Sequence, residues 1–151
     1  MTVQAQIIEL VKQLQAELNM AVIWITHDLG VVARLTKRLI VMYAGNIVES
    51  GPIKPVFAHP AHPYTLGLLG SVPRAASRRD QELNYIDGSP PDMIQLPPGC
   101  SFAPRCIYRT EICDQQRPEL LPVGDGRLTA CWNVEATGHR RLLPIHEVEG
   151  K

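Results

Sequence analysis

The sequence predicts an α/β fold taken from a larger sheet, followed by a proline-rich, loop-rich extension that carries four cysteines. Three observations predict it. An apolar helical face leads into a short, continuously apolar run, the pattern of a strand buried on both sides. A hairpin pattern follows within twenty residues. The composition then changes near the middle: many of the 13 prolines fall beyond it, and Cys100, Cys106, Cys113 and Cys131 all lie in the last third.

In chain order, Val3, Ile7, Leu10, Val11, Leu14 and Leu18 recur at steps of three and four, which marks one apolar helical face with Thr2 as a candidate cap. Ala21–Thr26 reads as the buried strand, with His27 and Asp28 at its end. A short helix is expected from there to about Thr36, capped by Asp28. Arg38–Tyr43 reads as a strand, Ala44-Gly45-Asn46 as a tight turn and Ile47–Ser50 as the hairpin partner, stopped by Gly51-Pro52. A lone buried strand flanked by helices needs parallel neighbours, and these are expected upstream of Met1.

Beyond Pro52, Val56-Phe57-Ala58 should end a short helix. His59-Pro60 and His62-Pro63 interrupt regular structure, and Pro63 suits the first turn of a helix reaching about Ser71. The stretch 73–98 reads as a polar, proline-rich linker or arm. The expected organisation is residues 1–51 as the α/β portion, 52–99 as extension and linker, 100–133 as a four-cysteine module and 134–151 as a tail.

Charge narrows the function. Lysine plus arginine and aspartate plus glutamate balance at 15 each, so no net field recruits nucleic acid or anionic lipid. The longest apolar runs, Ala21–Ile25 and Leu39–Ala44, fall far short of the roughly 20 residues of a spanning helix. A cytoplasmic location is expected, and with it reduced cysteines.

His27 is the candidate catalytic residue, because ligands of open α/β sheets bind at the carboxyl ends of strands. The bland reading is a histidine satisfied in a loop. The cysteines follow C-x5-C-x6-C-x17-C. Thiolates so spaced can converge on a metal, but neither the common zinc knuckle nor the usual ferredoxin run has this spacing, so metal and buried thiols both stay open. His59, His62 and Tyr64 read as turn and packing residues. Arg74, Arg78, Arg79 and Asp80 read as a solvated surface. Ser71 and Ser77 have no evident base.

Several blocks together resemble the ATP-binding subunits of peptide-importing ABC transporters, the oligopeptide/dipeptide group. Thr2–Ile7 is similar to the segment after the D-loop, Ile25–Val32 to the switch-histidine region, and Met42–Gly51 to the hairpin that follows. His62-Pro63-Tyr64-Thr65, with Leu68-Leu69 and Ser71-Val72-Pro73, resembles the extension peculiar to this group. Gly99-Cys100, Phe102, Arg105-Cys106, Cys113, Pro118 and Ala130-Cys131 resemble its cysteine motif.

The resemblance implies the distal part of an ABC-type nucleotide-binding domain, with His27 as the switch histidine that contacts the γ-phosphate. It implies ATP and magnesium as cofactors, a second ATP-binding subunit and transmembrane permease subunits as partners, and a peripheral place on the inner face of the cell membrane without insertion. It also implies a [4Fe–4S] cluster on Cys100, Cys106, Cys113 and Cys131, with zinc or four reduced structural cysteines as rivals. Arg105 and Arg109 would favour the thiolates.

The 151 residues depart from the family pattern in having no glycine-rich Gly-Lys-Ser/Thr loop, no signature motif and no Walker B carboxylates. ATP chemistry is therefore expected only together with those elements, and the apolar faces of 3–18 and 21–25 are expected to be sticky. The reading from another class is a stand-alone four-cysteine metal-binding interaction protein.

Overall fold

The computed structural model describes residues 3–71 and 86–139. Thr2, the charged run at 74–80 and the tail beyond His139 lie outside the described residues. The chain divides into two compact units, Met1–Lys37 and Arg38–Lys151.

The first unit is helical. Helix α1 (Val3–Leu18) covers the segment whose apolar spacing predicts it, and none of its residues is buried. Helix α2 (Leu29–Leu35) begins at Asp28, whose side chain accepts from the backbone N–H of Gly30 at 2.9 Å and of Val31 at 3.1 Å. Two of the N–H groups that a helix start leaves unpaired are thereby satisfied.

The expected buried strand at Ala21–Thr26 is not formed. The segment carries no regular element, and Ile23 and Ile25 are 91% and 95% exposed. A parallel strand exists only through hydrogen bonds to its neighbours, and among the described residues none pairs with it. The β-branched, apolar composition is strand-forming material, but composition cannot supply the partner.

The second unit is built on a four-stranded antiparallel sheet in the order β1-β2-β4-β3, not a parallel one. Strands β1 (Arg38–Tyr43) and β2 (Asn46–Pro52) form a hairpin with Tyr43 opposite Asn46. The two turn residues, Ala44 and Gly45, have φ of 48° and 76°. Positive φ at both positions is the turn that matches the right-handed twist of paired strands, and glycine takes it without strain. Strand β2 runs through Gly51-Pro52 straight into helix α3 (Ile53–Ala58), so the strand ends two positions later than the composition predicts.

Helix α4 (Pro63–Gly70) starts with proline in its first turn, as the sequence predicts. The cysteine region contributes a short helix, α5 (Glu111–Gln115), and the strands β3 (Leu121–Gly124) and β4 (Arg127–Thr129). Because β4 pairs with β2, the hairpin and the cysteine region share one sheet.

Two small cores hold this unit. Tyr43, Val48 and Phe102 form one, with Tyr64, Ile86, Cys100 and Cys106 packed against it. Ala61, Val123, Cys131 and Val134 form the other.

Candidate functional site

Within the first unit, His27 is exposed and lies at the bend before α2, with Asp28 fixed beside it as the helix cap. The backbone N–H of Asp28 is in turn bound to Thr26 Oγ1 at 3.0 Å. This geometry leaves His27 open to solvent on an anchored loop.

In the second unit the His-Pro-Tyr turn is tied down from both sides. Glu49 on β2 is fully buried, and its carboxylate accepts from the backbone N–H of Ala61 at 2.8 Å and of His62 at 3.0 Å. Hydrogen bonds to an ionised acceptor are the stronger kind, and here they satisfy two amides that the prolines at 60 and 63 leave without regular partners.

His62, 1% exposed, caps α4: its Nδ1 accepts from the backbone N–H of Tyr64 at 3.0 Å. Burial pushes the His62 pKa down to about 4, opposed by a backbone hydrogen bond to Ala130. The ring is neutral at physiological pH, with a structural task. Tyr64 completes an aromatic cluster, its ring 4.6 Å from Tyr43 and 5.4 Å from Phe102.

The cysteine loops hang on this scaffold. Cys100 N–H donates to the Cys113 carbonyl at 2.8 Å, a close approach made at Gly99, where an added Cβ would overlap that same carbonyl oxygen. Arg105 does not pair with a thiol. Its guanidinium donates to the carbonyls of Asp87 at 2.8 Å and Ile86 at 2.9 Å, and to Tyr43 Oη at 3.4 Å. Arg109 pairs with Asp114 at 2.9 Å. The hydrogen bonds of the two arginines go to backbone carbonyls, a tyrosine hydroxyl and a carboxylate, while Arg109 lies within charge reach of Cys113.

Asn133 links the two ends of the module. Its amide donates to the carbonyl of Tyr108 at 2.7 Å, to Thr110 Oγ1 at 3.0 Å and, more weakly, toward Cys113 Sγ at 3.7 Å.

None of the four cysteines is in a disulfide. Burial raises the pKa of Cys100 and Cys106, and pushes that of Cys131 up to about 12, with the neighbouring cysteine charges adding to each. The sequence spacing thus does bring the four into mutual electrostatic reach. Among the described residues, however, no three histidine, cysteine, aspartate or glutamate side chains are arranged to hold a metal ion. The roles of Glu49 and Asn133 are those that sequence reasoning misses, and Arg105, singled out beside the thiols, has its hydrogen bonds on the 86–87 backbone and Tyr43. Of these, Glu49 leaves a signal, the one charged residue in its strand, directly after Ile47 and Val48.

The described residues thus form a scaffold: an exposed histidine on a capped loop in one unit, and in the other a small sheet that fixes a His-Pro-Tyr turn and a thiol-bearing loop module. Residues 48–113 match the family described as oligopeptide/dipeptide transporter, C-terminal region. The chain is 50% identical over 142 residues to the dipeptide transport ATP-binding protein of Bacillus subtilis, covering 94% of this chain and 42% of that protein. It is 49% identical to the oligopeptide transport ATP-binding protein of Salmonella typhimurium, covering 87% and 38%. It is 48% identical to a putative peptide import ATP-binding protein of Brucella ovis, covering 86% and 40%.

The chain is thus similar in sequence to the ATP-binding proteins of peptide importers, and its residues 48–113 are similar to the transporter C-terminal region. It spans about two fifths of the length of these relatives. The stand-alone four-cysteine protein finds no support in them.

Proposed function

We propose that this chain acts as the distal part of an ATP-binding subunit in an ABC importer of oligopeptides or dipeptides. The observation that carries the reading is identity near one half, sustained over 86–94% of the chain, with transport ATP-binding proteins. ATP hydrolysis would be coupled to transport only together with a phosphate-binding loop, a signature motif and Walker B carboxylates, none of which these 151 residues contain.

His27 is the residue assigned to the γ-phosphate. An imidazole can donate one hydrogen bond to phosphate while its second nitrogen is held by neighbours, and the anchored loop at Asp28 suits that task. ATP and magnesium would be bound jointly with the residues that the chain does not itself supply. A second ATP-binding subunit and permease subunits would be its partners, at the cytoplasmic face of the membrane. No described helix is long and apolar enough to cross a membrane.

Cys100, Cys106, Cys113 and Cys131 are assigned as thiol ligands of an iron–sulfur cluster or zinc. Their support is chemical: four cysteines outside any disulfide within one module. Ligation must displace their protons, and the raised pKa values of Cys100, Cys106 and Cys131 make that step costlier than at exposed thiols.

The test is ATPase activity with and without a companion polypeptide that supplies the three missing motifs. The chain alone should show no turnover. The pair should hydrolyse Mg-ATP, and His27→Ala should lower the rate by about a hundredfold or more. Turnover by the chain alone, or a pair indifferent to His27→Ala, would overturn the assignment. Metal analysis after anaerobic purification decides separately between iron–sulfur, zinc and bare thiols.

A further inference from the structure

The strongest unassigned arrangement is a cavity of about 120 Å3 between the β1–β2 hairpin and the cysteine region. Ile47, Val48, Phe102 and Leu120 give it apolar walls, and no acidic residue lines it. Ser101 lines it too. That residue is 7% exposed, and its Oγ has no hydrogen-bond partner among the described residues. Thr65 Oγ1 and Arg127 Nε share that condition, but of the three residues it is Ser101 that borders this cavity. Burying a hydroxyl without a partner is costly, and an occupant that bonds it would remove the cost.

Arg117 is the cation of the cavity. Its Nη1 donates to Asn46 Oδ1 at 3.1 Å, and the Asn46 amide is itself oriented by donating to the Ala44 carbonyl at 2.8 Å. The root of the side chain is held as well, because the carbonyl of Gln116 accepts from Trp132 Nε1 at 2.9 Å. The guanidinium is thereby steadied with most of its N–H groups still to be used. Among the described residues no carboxylate forms an ion pair with it.

We propose that this cavity binds a short aliphatic carboxylate, whose oxygens take hydrogen bonds from Arg117 and Ser101 while its chain lies against the apolar wall. Size sets the limit. A cavity of roughly 150 Å3 holds benzene, so one of about 120 Å3 holds about five non-hydrogen atoms, the size of propionate. Phosphate or sulfate would leave the apolar walls unused and bring a second charge that one arginine does not neutralise. A neutral amide of the same shape would forgo the charge-assisted bond. A free acid and a glutamate side chain present the same group.

Propionate titrated into the full-length chain tests the site, followed by the NMR signals of the Ser101 amide and the Arg117 Nε–H. Both should shift and saturate at about 1–10 mM, while the amides of α3 stay in place. Propionamide should give no saturable shift. Ser101→Ala and Arg117→Gln should each weaken propionate binding by about tenfold. Ser101→Ala removes only the partnerless oxygen, so its urea midpoint should not fall and its weaker binding cannot be laid to unfolding. Glutamate blocked at both backbone ends carries the same carboxylate on a peptide frame. Binding as tight as that of propionate assigns the site to a protein side chain, and weaker binding assigns it to a free acid. The proposal is overturned by the absence of saturable propionate shifts, by equal binding of propionamide, or by undiminished affinity in both variants.

Discussion

Glu49 shows how much one side chain can organise. Removing it leaves the Ala61 and His62 amides buried and unpaired, and each such donor costs about 1–3 kcal/mol. Glu49→Ala should therefore destabilise the second unit by about 3 kcal/mol or more, read as a drop in the urea midpoint. Glu49→Gln keeps one acceptor oxygen and should lose less.

His62 sets an acid limit. Its folded pKa, near 4, is below the ordinary 6.5, so the unfolded chain takes up the proton first as pH falls. Stability is then complete above about pH 6.5 and declines toward pH 4, by about 3 kcal/mol in all for this group. His62→Asn retains a capping oxygen and should flatten that part of the profile in denaturant titrations at stepped pH. His62 is legible in the sequence as a turn residue because proline follows it. Its burial to 1% exposure is not, since that depends on Phe102, a residue remote in the chain.

At the scale of elements, signals carried by local spacing are legible. The period of α1, the Asp28 cap, the hairpin and Pro63 at the head of α4 each depend on residues within one or two turns of each other. The segment Ala21–Thr26 reads wrongly as a formed strand because a strand is a relation between two segments. The four cysteines stand out as a group. Their framework does not, because Gly99, Arg105 and Asn133 act through backbone carbonyls that no side-chain pattern announces.

Gly99 offers the sharpest test of that framework. A methyl there would overlap the Cys113 carbonyl, so Gly99→Ala must open the Cys100–Cys113 contact. The expected cost is about 2 kcal/mol. Alkylation of Cys100 and Cys113 by iodoacetamide should accelerate, while β1 and β2 keep their exchange protection.

For the molecule as a whole, exposed apolar surface is the governing quantity. Val3, Ile7, Leu10 and Leu18 on α1, with Ile23 and Ile25 beyond it, are all open to solvent. A 16-residue helix is marginal in water without packing. Burying a few hundred Å2 of such surface is worth several kcal/mol at about 25 cal/mol per Å2, comparable to the stability of a domain. The first unit should melt at lower denaturant than the second, and the isolated chain should self-associate in sedimentation experiments. Addition of a polypeptide that covers α1 should suppress both effects. A monomer with one sharp transition would count against this.

The sheet also fixes the order in which the molecule can assemble. Val48 meets Thr129 across 81 residues, so the hairpin of β1 and β2 can close early while its outer neighbour must wait for a long loop to find its ends. Nicking the backbone anywhere between those strands would leave every native contact available. It would nevertheless convert a first-order refolding reaction into a second-order one, whose rate rises with the concentration of both fragments.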